Sequence, residues 1–127
     1  MAELIMGFDF GTTKIGVAVG QKITGSASPI CKISATNGKP NWSQLDRIVG
    51  EWQPSIFVVG LPLNMDDSKN VITKSAERFA RRLSGRYEIP CEMIDERLST
   101  FEAKQKIVKD VDSTSACLIL ETWLMQY

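Results

Sequence analysis

The sequence predicts an α/β fold in which helices flank a mixed five-stranded sheet. Two β-rich apolar runs separated by a short glycine-containing turn open the chain, and from residue 42 onward helical and extended patterns alternate. An antiparallel meander that leads into alternating helices and parallel strands is typical of a mixed sheet covered by helices. The 127 residues match the size of one domain, so we expect residues 1–127 to form a single domain.

The first three strands are predicted to pair as a meander. Apolar runs at residues 4–10 and 15–20 flank the turn, a pattern typical of a hairpin. Residues 26–35 predict a third strand, which is expected at or near a sheet edge because Pro29 has no N–H to donate. Residues 37–41 combine Asn, Gly and Pro and are predicted to form a loop.

Helices and strands are predicted to alternate after this loop. Apolar residues recur three or four positions apart over residues 42–52 and 72–83, which predicts two amphipathic helices. The wholly apolar run at residues 56–60 predicts a strand that is buried on both faces, and a short strand is expected at residues 91–94.

Two further helices are predicted near the C-terminus. Residues 99–102 form a capping box, in which the serine and glutamate side chains each accept from the other's backbone N–H. Asp112 is expected to begin the last helix, which carries apolar residues up to Trp123. Trp123, together with Trp42 and Trp52 on the first helix, fits an apolar helix stripe and is expected in the core.

The absence of histidine excludes several kinds of active site. The chain contains none, so Ser-His-Asp and Cys-His nucleophile systems, histidine-ligated zinc and histidine proton transfer are not available. Any reaction must therefore use carboxylates, lysines, hydroxyls, thiols or a metal ion.

Charge and cysteine content give general expectations about partners and location. Fifteen basic and fifteen acidic residues give a net charge of zero, which by itself does not favour nucleic-acid or membrane binding. No apolar run approaches the ~20 residues of a membrane span, so no membrane association is expected. The three cysteines contain no CxxC pair and predict a reducing, cytoplasmic location without disulfides.

Acidic residues stand at three points where elements are predicted to begin or end. Asp9 closes the first strand, Asp95 and Glu96 follow the strand at 91–94, and Asp112 begins the last helix. Each point also has a structural interpretation: an Asx turn, a solvated loop and a helix cap, respectively. Because adjacent side chains point in different directions, only one of Asp95 and Glu96 is expected to face any site.

Carboxylates from these three points could converge on one place in the fold. Two unit charges about 4 Å apart repel by about 4 kcal/mol at an effective dielectric constant of about 20, so convergence would require a divalent cation. Oxygen ligands without histidine favour Mg²⁺ or Mn²⁺. A pair of such ions about 4 Å apart can activate water and stabilise the leaving oxygen in phosphodiester cleavage.

Basic residues concentrate in the later part of the chain. Residues 69–109 contain ten basic and six acidic side chains. Four cations lie opposite the apolar stripe of the helix at 72–83, where they form either an ordinary solvated face or a surface that binds nucleic-acid phosphates: Lys74, Arg78, Arg81 and Arg82. Arg97, beside the acids, and Lys14, after the first turn, are the candidates to hold the scissile phosphate.

Four motifs in order resemble the YqgF family of bacterial proteins. They occupy residues 7–19, 59–66, 95–100 and 112–113 and span nearly the whole chain. The family has a ribonuclease H-like fold and is described both as Holliday-junction resolvases and as nucleases for the precursor of small-subunit ribosomal RNA. The resemblance implies a catalytic and metal-binding triad of three acids, which are Asp9, Glu96 and Asp112. Asp67 replaces a usual glycine and Ser115 a usual alanine, which affects loop shape more than chemistry.

Several functions are compatible with these features. A metal-dependent nuclease acting on precursor ribosomal RNA is favoured, followed by a resolvase of branched DNA and by a non-catalytic RNA-binding or ribosome-assembly module. Residues 9–13 also resemble the phosphate loop of the actin, sugar-kinase and heat-shock ATPase superfamily, but those proteins need two lobes and this chain has the length of one. Junction resolution requires two symmetric cuts and hence a twofold dimer, whereas RNA processing is compatible with a monomer or a homodimer.

Overall fold

A computed structural model describes residues 3–62, 66, 68–95 and 111–126, with the backbone alone for residues 111–114. Its strands form one sheet in the order β4-β3-β2-β1-β5-β6. The strands are β1 (Leu4–Asp9), β2 (Lys14–Gln21), β3 (Ser26–Thr36), β4 (Lys39–Pro40), β5 (Ile56–Leu61) and β6 (Cys91–Asp95). The helices of the described residues are α1 (Trp42–Trp52), α2 (Val71–Tyr87) and α3 (Val111–Leu124).

The sheet combines antiparallel and parallel pairing, as predicted. β1, β2 and β3 pair antiparallel, whereas β5 and β6 run parallel to β1. The prediction of a loop over residues 37–41 is wrong at Lys39 and Pro40, which form the sixth strand. These two residues pair with Ala35 and Thr36 at the end of β3, because the residue before a proline favours extended backbone.

β3 lies at the edge of the sheet for most of its length. Ala35 and Thr36 pair with β4, and among the described strands the preceding residues of β3 have β2 alone as a neighbour. Val17 pairs with Cys31 and Ala18 with Pro29, which leaves Ile30 as an extra residue in a bulge. The edge position expected from Pro29 is therefore confirmed.

Helices cover both faces of the sheet. α1 and α2 pack on the face that carries Met6, Phe8 and Phe57, where the Phe8 ring centroid lies 5.7 Å from that of Phe57 and 5.5 Å from that of Phe79. α3 packs on the opposite face, against Ile5 and residues of β2, β5 and β6. No helix in the described part of the chain is long and apolar enough to cross a membrane.

Gly7 allows α3 to lie directly on β1. A Cβ at position 7 would lie 2.9 Å from the Leu120 Cβ and 3.4 Å from the carbonyl oxygen of Ala116. Any larger residue would therefore push the helix off the strand.

Two predictions about buried side chains are wrong. Trp52 is 39% exposed, beside a groove that α1 forms with the bulged edge of β3, whereas Trp42 is half-buried and Trp123 fully buried. Ile72 is 44% exposed, and Thr73 takes its place inside the fold. Thr73 faces inward because its hydroxyl donates to the Pro62 carbonyl and is also within hydrogen-bond distance of the Asn70 side-chain oxygen.

The predicted ends of the helices differ from the structure by a few residues. α2 continues past Gly85 to Tyr87, and α3 begins at Val111, so that Asp112 lies inside the first turn. The helix predicted from the capping box at residues 99–102 lies outside the described residues.

Candidate active site

The three parallel strands end at one edge of the sheet. β1 ends at Asp9, and Phe8 pairs with Val59 on β5. β6 ends at Asp95, which pairs with Leu61, the last residue of β5. Two strand spacings of about 4.8 Å separate the ends of β1 and β6, so Asp9 and Asp95 lie about 10 Å apart along this edge.

Alternation along the strands places the two acids on opposite faces. Phe8 packs in the core under α1 and α2, so Asp9 lies on the α3 face. Ile94 packs in the core under α3, so Asp95 lies on the α1 and α2 face. Asp95 is therefore the less suitable partner for Asp9, and the alternative acid, Glu96, lies outside the described residues.

α3 runs antiparallel to β1, with its first turn toward Asp9. Ala116 lies against Gly7, whereas Leu124 lies against Gly20, which pairs with Ile5 near the start of β1. Position 112 comes one turn before Ala116, at the Asp9 end of the same face. The partial positive charge of a helix N-terminus favours anions at this point. The Asp112 side chain lies outside the described residues.

The turn after Asp9 is fixed by close contacts. A Cβ on Gly11 would lie 2.4 Å from the Lys14 carbonyl oxygen, so only glycine allows this turn. The Thr13 carbonyl accepts a 2.8 Å hydrogen bond from the Ala35 N–H, and the Thr12 carbonyl accepts one of 2.9 Å from Gly38. Asp9 is half-buried and has Gly16 as its neighbour on β2. The strand end that carries Asp9 is therefore rigid.

The loop after β5 is tied to the start of α2. Thr73 donates its hydroxyl proton to the Pro62 carbonyl and its N–H to the Asn70 side chain at 2.8 Å, and the Asn70 N–H donates to the Thr73 hydroxyl at 3.1 Å. Asp66 accepts hydrogen bonds from the N–H and hydroxyl of Ser68, at 3.0 and 2.5 Å. The loop is thus tied to α2 at Pro62, and the Asp66 contact with Ser68 is a local turn; Asn64 and Asp67 lie outside the described residues.

The predicted cations divide between the two faces of the sheet. Lys14 is exposed at the start of β2, where alternation with buried Ile15 places it on the α3 face with Asp9. Lys74 and Arg78 are exposed on α2, which packs on the other face. Arg97 lies outside the described residues.

Lys32 is a further cation near Asp9 that the sequence pattern did not indicate. Gly16 pairs with Asp9 on one side and with Lys32 on the other, so these three positions form one row across the sheet. Since glycine has no side chain, no side chain of β2 separates Asp9 from Lys32 in this row, although Gly16 itself is buried. Only the register of β3, which its bulge shifts, reveals this row.

No group of three or more residues of the metal-binding types comes together among the residues whose side chains are described. Of the predicted triad, only Asp9 falls within that set. Its carboxylate oxygens are donors of the type that Mg²⁺ and Mn²⁺ prefer.

Several proteins are similar to this chain over nearly its full length. A protein of Glaesserella parasuis serovar 5 (strain SH0165) is 47% identical over 99% of this chain and 99% of its own. Proteins of Actinobacillus pleuropneumoniae serotype 5b (strain L20) and Azotobacter vinelandii (strain DJ / ATCC BAA-1303) are 52% and 49% identical, over 97% and 98% of this chain and 97% and 94% of theirs. All three carry the name "Putative pre-16S rRNA nuclease".

Solved structures share the fold at low sequence identity. RuvC of T. thermophilus in complex with a Holliday junction substrate matches with a TM-score of 0.63 and 11% identity, over 98% of this chain and 94% of its own. The fowlpox virus Holliday junction resolvase matches with a TM-score of 0.57 and 13% identity, over 97% of both chains. The predicted ribonuclease H-like fold is therefore confirmed.

A family model gives the assignment. The model named RuvX and described as "Holliday junction resolvase" matches residues 3–126, and RuvX is the family that the four motifs resemble under the name YqgF. Because this match covers nearly the whole chain and relatives about half identical cover the same length, the protein belongs to the RuvX family.

Proposed function

We propose that this protein is a divalent-metal-dependent nuclease that cleaves the precursor of 16S ribosomal RNA during processing of its 5′ end. The names of the full-length relatives support the substrate. The single observation that carries the chemistry is that Asp9 and the first turn of α3 lie at the same end of one face of the sheet. The chain acts as one nuclease domain over residues 1–127.

The proposed triad is Asp9, Glu96 and Asp112. Asp9 supplies a rigid, half-buried carboxylate at the end of β1. Asp112 comes from the first turn of α3, and Glu96 is preferred to Asp95 because Asp95 lies on the opposite face. These carboxylates would hold Mg²⁺ or Mn²⁺, which supplies the activation of water and the stabilisation of the leaving oxygen.

Cations on the same face bind the substrate backbone in this proposal. On the α3 face, Lys32 lies in the Asp9 row and Lys14 lies two residues before Gly16 of that row. Arg97 follows the third motif directly and can hold the scissile phosphate with two hydrogen bonds. These residues neutralise the phosphates that flank the cleaved bond, while Asp9 orients the attacking group.

The test is cleavage of two substrates by the wild type and by Asp9→Asn. Each protein is incubated with precursor 16S ribosomal RNA and with a four-way DNA junction, with and without Mn²⁺. We expect metal-dependent cuts in the RNA by the wild type only. Binding without any cut by the wild type would contradict the nuclease and favour a ribosome-assembly module.

Resolution of branched DNA is the second candidate function, because the matching family is described as a Holliday junction resolvase. Two symmetric cuts need a twofold dimer. A measurement of mass in dilute solution separates the candidates: a strict monomer contradicts resolution, whereas a dimer that cuts the junction and leaves the RNA intact contradicts RNA processing.

A cytoplasmic location accompanies this proposal. Cys31, Cys91 and Cys117 form no disulfide, and proteins of a reducing compartment rarely contain one. Burial and the charge of Glu92 raise the pKa of Cys91 to about 12, and burial also raises the pKa of Cys31. Thiols with raised pKa values are poor nucleophiles, so these cysteines are structural.

A further inference from the structure

A small basic pocket lies away from Asp9, between the turn that joins β3 to β4 and the outer side of α2. Lys39, Arg78 and Arg82 supply three positive charges to its lining, and Asn37 and Ser75 supply neutral polar groups. Among the residues that the structure describes, no acidic side chain lines the pocket. Its composition therefore suits an anion.

The three cations are available to a ligand. The ion pairs between described residues involve Lys22, Lys69 and Arg86. Arg86 lies one turn after Arg82 on α2 and makes a bidentate pair with Asp46, with distances of 2.9 and 2.8 Å. In contrast, none of the described ion pairs neutralises Arg78, Arg82 or Lys39. A bound anion would relieve the mutual repulsion of these charges.

The size and floor of the pocket restrict the anion. The cavity volume is about 30 Å³, compared with ~10–15 Å³ for one water. Phe79 and Pro40, both buried, line it from the core side. This space admits a compact group such as phosphate and is too small for a nucleobase.

Backbone hydrogen bonds connect the pocket to the active-site edge. Gly38 lines the pocket with φ at +80°, and its N–H donates to the Thr12 carbonyl in the turn that follows Asp9. A Cβ at position 38 would lie 3.2 Å from the Phe10 ring and 3.9 Å from the Ser75 Cβ. The pocket and the end of β1 therefore belong to one rigid unit.

We propose that this pocket is a phosphate-binding subsite that holds one backbone phosphate of the substrate RNA outside the cleavage site. The subsite rests on the proposed function for its ligand, and it adds Lys39, Asn37 and Ser75 to the cations of α2 that the sequence indicated. The RNA then crosses the sheet edge over the Thr12 turn, with one phosphate near Asp9 on the α3 face and another in the pocket on the α2 face.

The test measures RNA binding in an Asp9→Asn background, where the substrate is not cut. Lys39→Gln combined with Arg82→Gln removes two charges from the pocket. Arg47→Gln combined with Arg81→Gln is the matched control, because it removes two exposed charges outside the pocket. The probe is a fluorescent single-stranded oligonucleotide of precursor 16S RNA, titrated by anisotropy at several salt concentrations, and melting temperatures verify that both variants fold.

We expect the pocket variant to bind the RNA at least tenfold more weakly than the control. The slope of log K against log salt should decrease in magnitude by about 0.7, the value for one phosphate on a single strand. Equal losses in the two variants would overturn the subsite and indicate a diffuse basic face. The result does not depend on cleavage, so a wild type that cuts nothing would contradict the proposed function and leave this measurement valid.

Inorganic phosphate distinguishes the two sources of the ligand. One possible result is that millimolar phosphate raises the melting temperature of the Asp9→Asn protein but not of the pocket variant, while the two proteins bind RNA with equal affinity. In that case the pocket holds free phosphate, and the assignment to the RNA backbone is wrong. If the pocket variant loses RNA affinity and phosphate competes only weakly, the assignment to the RNA backbone stands.

Discussion

Asp9 combines a rigid backbone with a charge that the proposed function requires. Strand pairing with Gly16 and the tight turn at Gly11 fix its position at the sheet edge. Gly16 is buried and places no side chain beside Asp9. At the scale of single residues, the candidate site thus depends on two glycines as much as on acids.

The Asp9→Asn variant tests whether the charge of Asp9 serves catalysis or stabilises the fold. If Asp9 repels the other carboxylates of the triad, its neutralisation leaves the free energy of unfolding without metal unchanged within about 0.5 kcal/mol, or raises it. Cleavage is lost at the same time. Denaturant unfolding in the presence of a chelator measures the stability, and a decrease of several kcal/mol would instead identify Asp9 as a structural hydrogen-bond acceptor.

At the scale of elements, the contact of α3 with β1 determines where the last motif lies. Gly7→Ala introduces a Cβ 2.9 Å from the Leu120 Cβ, and the overpacking costs about 1–3 kcal/mol of unfolding free energy. Gly50→Ala is the control, since position 50 on α1 has open space and alanine there stabilises a helix by about 1 kcal/mol. Urea unfolding compares the two variants, and equal effects would contradict the close packing of α3.

The contact between α1 and α2 predicts a dependence of stability on pH. Asp46 on α1 accepts two hydrogen bonds from Arg86 and one of 2.7 Å from Tyr87, both on α2. These bonds lower the pKa of Asp46 to about 2, whereas the unfolded chain titrates near ~3.9. The contribution of the Asp46 carboxylate to the free energy of unfolding is therefore fully present above about pH 4, and it disappears as the pH falls through 2.

We expect the melting temperature of the wild type to exceed that of Asp46→Asn at pH 5, and the difference to shrink between pH 4 and pH 2. Because Asp46 is solvent-exposed, the effect is small and decreases in high salt. Thermal melts of both proteins across this range measure it. If the difference in melting temperature stays constant with pH, the charge of the Asp46 carboxylate does not stabilise the contact between α1 and α2.

At the scale of the whole molecule, a bound metal should connect distant segments. We expect Mg²⁺ or Mn²⁺ to raise the melting temperature of the wild type, since a ligand at a hundred times its dissociation constant adds about 2.7 kcal/mol. The Asp9→Asn, Glu96→Gln double variant should not respond. Thermal melts with and without metal test this expectation, and equal shifts in the two proteins would reject the proposed site.

Periodicity predicts the order of most of this fold, because apolar spacing depends on the sequence alone. The strands β1, β2, β3, β5 and β6 and the helices α1 and α2 follow the predicted pattern, with small differences at their ends. The inward position of Thr73 was not predictable, because it depends on the carbonyl of Pro62 in a different segment. The exposure of Trp52 likewise depends on the bulged edge of β3, which leaves a groove beside α1.

The sequence predicts only part of the candidate site. The strand end at Asp9 and the helix at Asp112 follow local patterns, and their common face follows from Gly7 and Gly20 under α3. The place of Lys32 in the Asp9 row required the register of β3. Residues 96–110, which include Glu96 of the proposed triad, lie outside the described residues, so Glu96 and Arg97 stay predictions.

The edge of β3 limits how copies of this protein can associate. Pro29 offers no backbone N–H, Ile30 interrupts the regular spacing of the ladder, and the Ser34 N–H already donates to the Gln44 side chain at 3.0 Å. A neighbouring molecule therefore finds no continuous row of donors and acceptors to extend. Polymerisation by strand addition is therefore disfavoured along this side of the sheet.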